Sequence, residues 1–266
     1  MNIDSVMGNL LATQMRWEGR QNNPPCFVVS IWSRPAKGDS LQRMISVIIP
    51  TLNAASRLGP CLGGVGAGIT DGTLSEVIFT DGGSGDDIAE IADLSGAVFV
   101  TGPAGRGGQL ARAAAIARGE WLLFLHADTV LSPDWPVRVR DHMQRGAGQA
   151  GWCTLAFDAK GIAPRCVAGW ANLRSRVFGL PYGDQALLIH RSLYREIGGH
   201  PDIPLMEDVA IARALGRKRL RCLGVTATTD AERYVRDGWF RRGLKNLTTL
   251  LRYLLGASPE RLAERY

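Results

Sequence analysis

The chain has 266 residues, 45% of them hydrophobic and 21% charged, with a formal net charge of +6. This is ordinary globular composition, with length for one large α/β domain or a domain with appendages, and no run approaches the roughly 20 apolar residues of a membrane span. The start lacks the basic-then-apolar pattern of a signal peptide, and five scattered cysteines without a CxxC pair argue against a disulfide framework or a zinc site and for reduced thiols in the cytoplasm.

Residues 1–43 are polar and mixed, with Asn22-Asn23-Pro24-Pro25 and one short apolar run from Cys26 to Trp32. Met44 stands directly before the first convincing strand. The functional domain is therefore expected over 44–266, with 1–43 as an extension, either disordered or contributed by an upstream start codon. From there strands are predicted at 45–50, 75–80, 97–101 and 120–126, each rich in Val, Ile, Leu or Phe. Helices are predicted between them at 54–66, 85–94 and 109–118. The first of these is a poor helix former, with Pro60 and five glycines between 59 and 68. Alternation in this order predicts a mostly parallel sheet with right-handed crossovers.

After residue 150 the pattern is mixed. A strand is expected at 151–158, a helix at 164–177, a strand at 185–190, and helices at 192–197 and 207–216. Residues 239–255 read as a helix with an apolar stripe at 240, 244, 247, 251 and 254. Ser258-Pro259-Glu260 reads as an N-cap and first turn of a last short helix. Residues 213–266 hold 13 Lys/Arg against 5 Asp/Glu. That excess suits phosphates, anionic lipid or nucleic acid, or is simply a solvated basic face.

Four polar clusters fall at predicted strand ends or helix starts, where open α/β sheets bind ligands. The first joins Pro50, Thr51 and Asn53 after strand one to Asp81, Gly82 and Ser84 after strand two. Asp81 suits a uracil or guanine ring or a ribose hydroxyl, or else fixes its own turn. The second, Gly105-Arg106-Gly107-Gly108-Gln109, opens a helix with exposed N–H groups and a cation, which suits a phosphate. A plain flexible connection is the alternative. The third is His126-Ala127-Asp128. On a strand His126 and Asp128 would share a face and suit Mn²⁺ or Mg²⁺ bridged to a diphosphate; alternatively Asp128 caps the helix after Pro133. The fourth is Glu207-Asp208, either a helix-dipole partner or a source of a general base, Asp208. Asp184-Gln185 in Tyr182-Gly183-Asp184-Gln185 suits a hydroxylated acceptor.

The ordered set SVIIPTLN, TDGGSGDD, GRGGQ, LHADT, YGDQ and PLMED resembles family-2 glycosyltransferases of the GT-A (nucleotide-diphospho-sugar transferase) fold. It is most similar to the bacterial branch labelled selenodomain-associated transferase 2. The resemblance runs from Met44 to Tyr266. It implies a nucleoside-diphosphate sugar as donor, a divalent metal, Mn²⁺ or Mg²⁺, and an unidentified hydroxyl acceptor, with a lipid-linked one among the options. It places Asn53 and Asp81 at the nucleoside, Asp128 on the metal and Asp208 as the base of an inverting displacement, with no nucleic-acid partner. His126 replaces the first Asp of an Asp-x-Asp motif, and Ala111 stands where relatives often have Asn. The family's Gln-x-x-Arg-Trp motif is absent, leaving Arg233-Tyr234 or Arg241-Arg242 as the diphosphate cations.

Two rival readings are a nucleotidyltransferase of related fold and a non-catalytic sugar-nucleotide-binding protein. Thr51-Leu52-Asn53-Ala54-Ala55 lacks the glycine loop of the first. Asp81, Asp128 and Asp208 together argue against the second. The stripe of helix 239–255, with Arg241, Arg242, Lys245 and Arg252, is expected to pack on the domain or a twin subunit, or to lie on an anionic membrane at the inner face.

Overall fold

Strand β1 (Ile45–Thr51) is apolar on both faces and buried almost throughout, as a central parallel strand must be. Ile45, Val47 and Ile49 pack one way, with Leu58, Val65 and Phe79. Ile48 packs the other way, with Leu110, Ala113 and Leu122. The computed structural model describes residues 45–265. The expected extension 1–43, its apolar run and Met44 lie outside them.

Around β1 run β2 (Leu74–Asp81), β3 (Val98–Thr101), β4 (Trp121–Phe124), β5 (Thr129–Leu131), β6 (Ala150–Phe157), β7 (Leu187–His190) and β8 (Leu220–Thr229). They form one sheet in the order β3-β2-β1-β4-β7-β6-β8-β5. The β3-β2-β1-β4 half is parallel. In the other half β7 runs against both neighbours and β5 against β8, while β6 and β8 are parallel. The strand order reverses at β1, where β1 leads outward to β2 and β3 on one side and β4 lies on the other. A crevice opens at such a point.

The helices are α1 (Ala55–Asp71), α2 (Ile88–Ser95), α3 (Arg106–Ile116), α4 (Trp135–Met143), α5 (Ile162–Phe178), α6 (Arg191–Glu196), α7 (Glu207–Leu215), α8 (Glu232–Asp237), α9 (Trp239–Leu254) and α10 (Pro259–Ala263). The expected weak helix is in fact the 17-residue α1. Pro60 is exposed to solvent, Gly68 lets Trp135 in, and Gly64 makes room for Val130 and Leu131. A Cβ on Gly68 would sit 2.3 Å from the Trp135 ring. The indole N–H donates to the Gly64 carbonyl at 2.9 Å. Tertiary packing thus overrides a low helix propensity.

Two expectations change. Strand β4 stops at Phe124, and His126–Asp128 form a turn closed by Thr129 N–H donating to the His126 carbonyl at 3.2 Å. The premise that His126 and Asp128 share a strand face is therefore replaced by a turn geometry. Of the apolar stripe of α9, Leu247 is half-buried beside α5 and the other four positions do not pack on the domain. Phe240 is 69% exposed and Leu244, Leu251 and Leu254 are exposed too, while the opposite side of the helix buries Thr249 and Leu250.

Candidate active site

At the carboxyl edge of the sheet a cleft of about 470 Å³ lies between the β1 and β4 ends, the β8–α8 junction, the start of α7 and the inner side of α9. Of the residues singled out by sequence, Pro50, Thr51, Asn53, Arg106, Gln109, His126, Ala127, Asp128, Asp184, Glu207 and Asp208 line it together. Arg57, Asp230, Asn246 and Tyr182 line it as well and were not foreseen as site residues. Asp81, Gly82, Ser84 and Gln185 lie behind its walls.

The β1–β2 end is tied to itself. Thr51 and Asp81 are register partners at the ends of parallel strands, and the Thr51 hydroxyl donates to Asp81 Oδ1 at 2.9 Å. Ser84 Oγ donates to the same oxygen at 2.5 Å, and the amides of Gly83 and Ser84 donate to Oδ2 at 2.7 and 2.8 Å. Burial pushes the Asp81 carboxyl up, but these hydrogen bonds together outweigh it and hold the group below its ordinary range. Asn53, in a left-handed conformation at φ 50°, accepts from Gly85 N–H at 3.0 Å and donates its own N–H to Ser84 Oγ at 2.8 Å. Gln109 straps the two strands to α3, its amide donating to the carbonyls of Thr51 at 2.9 Å and Thr80 at 2.6 Å.

The glycine loop before α3 has a packing reason. A Cβ on Gly107 would lie 2.0 Å from the Pro201 carbonyl oxygen, and one on Gly108 would lie 2.6 Å from the Asp202 carboxylate. The 201–203 segment lies against this helix start and brings an acid to it, which corrects the picture of an open phosphate loop. Arg106 enters the cleft and pairs with Glu207 Oε1 at 3.3 Å.

The opposite end is crowded with charge. Met206, at φ 71°, turns the chain into α7 and projects Glu207 and Asp208 at the helix start. Asn53, Ala186 and Met206, the non-glycine residues at positive φ among the described residues, all flank this cleft, where backbone strain commonly collects. Asp208 accepts from Gly183 N–H at 2.9 Å and from Val209 N–H at 2.7 Å. Glu207 is buried, and burial, then the neighbouring Asp208 charge, push its carboxyl up to about 7 against the pull of Arg106. Burial likewise raises Asp184 to about 6, with Arg174 opposing and the Asp208 and Asp128 charges adding. Its buried Oδ1 meets no hydrogen-bond donor among the described residues. His126 is driven down to about 3 by burial and the Arg106 charge, so the imidazole is neutral at pH 7.

Among the described residues no three His, Cys, Asp or Glu side chains converge to cage a metal on their own. A divalent cation bridging a diphosphate needs less: one or two carboxylates, the phosphates and water. Asp128 fits, its Oδ1 touched only at 3.4 Å by the hydroxyls of Thr129 and Thr229. His126 fits through its neutral ring. The cations foreseen as alternatives divide between the two pairs: Arg233 and Arg242 line the cleft, and Arg241 does not. Arg242 pairs with Asp237 at 2.5 Å, and Arg233 makes no hydrogen bond or ion pair among the described residues. Gln185 is fully buried, accepting from Ser175 Oγ at 2.6 Å and Arg174 Nη2 at 3.2 Å and donating to Asn172 Oδ1 at 3.1 Å. It braces the Tyr182–Gln185 turn from behind.

Residues 46–165 match the model of Glycosyl transferase family 2. Solved structures of glycosyltransferases share the fold. Mannosyltransferase PcManGT from Pyrobaculum calidifontis, in complex with GDP-Man and Mn²⁺, aligns at TM-score 0.59 and 17% identity over 85% of this chain and 70% of its own. Mannosyl-3-phosphoglycerate synthase from Rubrobacter xylanophilus aligns at 0.54 and 17%, over 80% and 74%. TarS 1-349 of S. aureus aligns at 0.52 and 14% over 78% of this chain, which spans 64% of that one. No curated protein matches. The eight-stranded sheet flanked by helices is therefore the GT-A glycosyltransferase fold, and residues 46–165 carry the family-2 match within it.

Proposed function

We propose that this protein is a metal-dependent, inverting glycosyltransferase that moves a sugar from a nucleoside-diphosphate sugar to a hydroxyl acceptor. The resemblance of the six ordered motifs to the selenodomain-associated transferase 2 branch supports a place for it there. The observation that carries the reading is the convergence of Asp128, His126, Arg106, Arg233 and Asp208 on one cleft at the carboxyl edge of the sheet, in a chain with a family-2 match.

Breaking the glycosidic bond leaves negative charge on the β-phosphate. Arg106 and Arg233 stand ready for it, and Asp128 with His126 would hold the cation. Mn²⁺ or Mg²⁺, when bound, supplies Lewis-acid stabilisation of the departing diphosphate. Asn53 and the β1–β2 loop present the wall against which the nucleoside lies, with Asp81 shaping that wall from behind. Asp208 takes the proton of the attacking hydroxyl, its carboxylate aimed by Gly183 and Val209. Glu207 holds Arg106 in place. Asp184, close in charge to both Asp208 and Asp128, faces the acceptor.

Asp208→Asn is expected to lower kcat by roughly 10²–10⁴ while nucleoside-diphosphate binding stays within a factor of two or so. Release of nucleoside diphosphate in the presence of Mn²⁺ or Mg²⁺ is the assay. Turnover equal to wild type would remove Asp208 from its role, and donor binding with no release under any acceptor would favour a non-catalytic binder.

A further inference from the structure

Helices α5 and α9 pack against each other, a Cβ on Gly243 reaching Val167 at 4.0 Å. Both present apolar side chains to solvent. On α5, Ile162, Trp170, Leu173 and Val177 fall on one helical face, with Ile162 80% exposed. On α9 the corresponding face is Phe240, Leu244, Leu251 and Leu254. Between the helices runs a narrow groove whose outer rim is Trp170 and Leu247 and whose inner end is Tyr182, Asp184 and Tyr234. Trp170 lies at the edge of the α5 stripe and Leu247 at the edge of the α9 stripe. The two stripes therefore flank one groove and form a continuous apolar face, and the groove ends at residues that also line the cleft.

The charges beside this face select its partner. Arg241, Lys245 and Arg252 lie on one flank of the α9 stripe, and Arg165 and Arg176 on one flank of the α5 stripe, all exposed. Neither α5 nor α9 contains an Asp or Glu. In a two-fold dimer built on this face the patch would meet itself, setting these cations against one another with no acid in either helix to pair them. An anionic lipid surface satisfies both features, because apolar side chains enter the acyl boundary while flanking cations meet headgroups.

We propose that the α5–α9 face docks on an anionic bilayer and holds the Asp184 end of the cleft at the lipid surface. On the glycosyltransferase reading above, this makes the acceptor a hydroxyl presented from the membrane. The docking itself does not depend on that reading.

The test is co-sedimentation of the full chain with phosphatidylglycerol/phosphatidylcholine vesicles and with phosphatidylcholine alone. Wild type is expected to bind the anionic vesicles and to be released by salt. Leu244→Asp/Leu251→Asp and Leu173→Asp should each weaken binding, the double variant by roughly tenfold or more. Arg241→Gln/Lys245→Gln/Arg252→Gln should do the same and flatten the salt dependence. Circular dichroism and the thermal shift given by nucleoside diphosphates should be unchanged in all of them, separating lost docking from lost folding and from any failure of the transferase assignment. Absence of wild-type binding to anionic vesicles would overturn the proposal. So would a wild-type dimer, seen by light scattering, that the leucine variants convert to monomer without any vesicle binding; that result assigns the face to a second copy.

Discussion

The two ends of the cleft are built in opposite ways. At the β1–β2 end the side chains of Thr51, Asp81, Ser84 and Gln109 are engaged within the protein, although Asp86 too keeps one buried oxygen without a donor among the described residues. Asp81 accepts four hydrogen bonds from its own turn and from Thr51, and Asn53 and Gln109 tie the neighbouring loops together. At the α7 end burial and the neighbouring Asp208 charge raise the cost of ionising both Glu207 and Asp184, and Asp184 keeps an oxygen without a donor among the described residues. The first end is a finished surface whose shape does not wait for a ligand. The second is held away from its electrostatic optimum, the usual condition of groups that handle protons or cations.

The sharpest way to break this contrast is to remove charge at the second end. Asp208→Asn is expected to produce the largest kinetic loss with little change in stability. At the first end Asp81→Ala should do the reverse, costing roughly 2–4 kcal/mol in urea denaturation by leaving the turn's donors unmatched. If Asp81→Ala instead keeps full stability and loses only nucleotide affinity, Asp81 belongs to the binding surface.

A finer test is the sign of the pH dependence. Glu207 has its folded pKa raised to about 7, so its contribution to stability is fully present below its unfolded pKa and is lost as pH rises through about 7. Wild type should therefore lose stability relative to Glu207→Gln between pH 5 and pH 8, by roughly 1–3 kcal/mol. Asp81 is lowered, so its stabilisation is present above the ordinary carboxylate range and is lost as pH falls through that range. The stability gap between wild type and Asp81→Asn should narrow in acid. Melting temperatures across pH would show both slopes, and equal signs would dissolve the distinction between the ends. The smallest expected effect is at Asp128. Asp128→Ala should leave the unfolding free energy of the ligand-free protein within roughly 0.5 kcal/mol of wild type, and should abolish the extra thermal shift that Mn²⁺ adds to a nucleoside diphosphate.

Much of this layout was legible in the chain. The alternating β and α runs from Ile45 to Phe124 gave the parallel half of the sheet, because strands buried on both faces read as unbroken apolar runs. Strand β8 was not seen. Its Gly224, at φ 75°, and a register shift against β6 break the two-residue alternation, so the buried positions run 220, 223, 225, 227 and 229. With β8 hidden, Asp230 could not be anticipated, and Arg233 could be offered only as one of two alternatives for the diphosphate cation. Single motifs also carried two meanings that only packing separates. Gly105–Gly108 reads as a phosphate loop or a flexible connection, and in the structure Gly107 and Gly108 make room for Pro201 and Asp202 while Gly105 and Arg106 line the cleft. The polar Gln185 read as an acceptor contact and is a fully buried brace.

That brace has a mechanical consequence. Arg174, on α5, donates to the Leu180 carbonyl at 2.9 Å and to Gln185, and lies over the Tyr182 ring at 3.5 Å. Gly183, in the same turn, holds Asp208 through its N–H. Helix α5 is thus coupled to Asp208 by a short chain of rigid contacts. Load applied to its outer face reaches the carboxylate through two links, so whatever α5 rests on also sets the aim of the group proposed to take the proton.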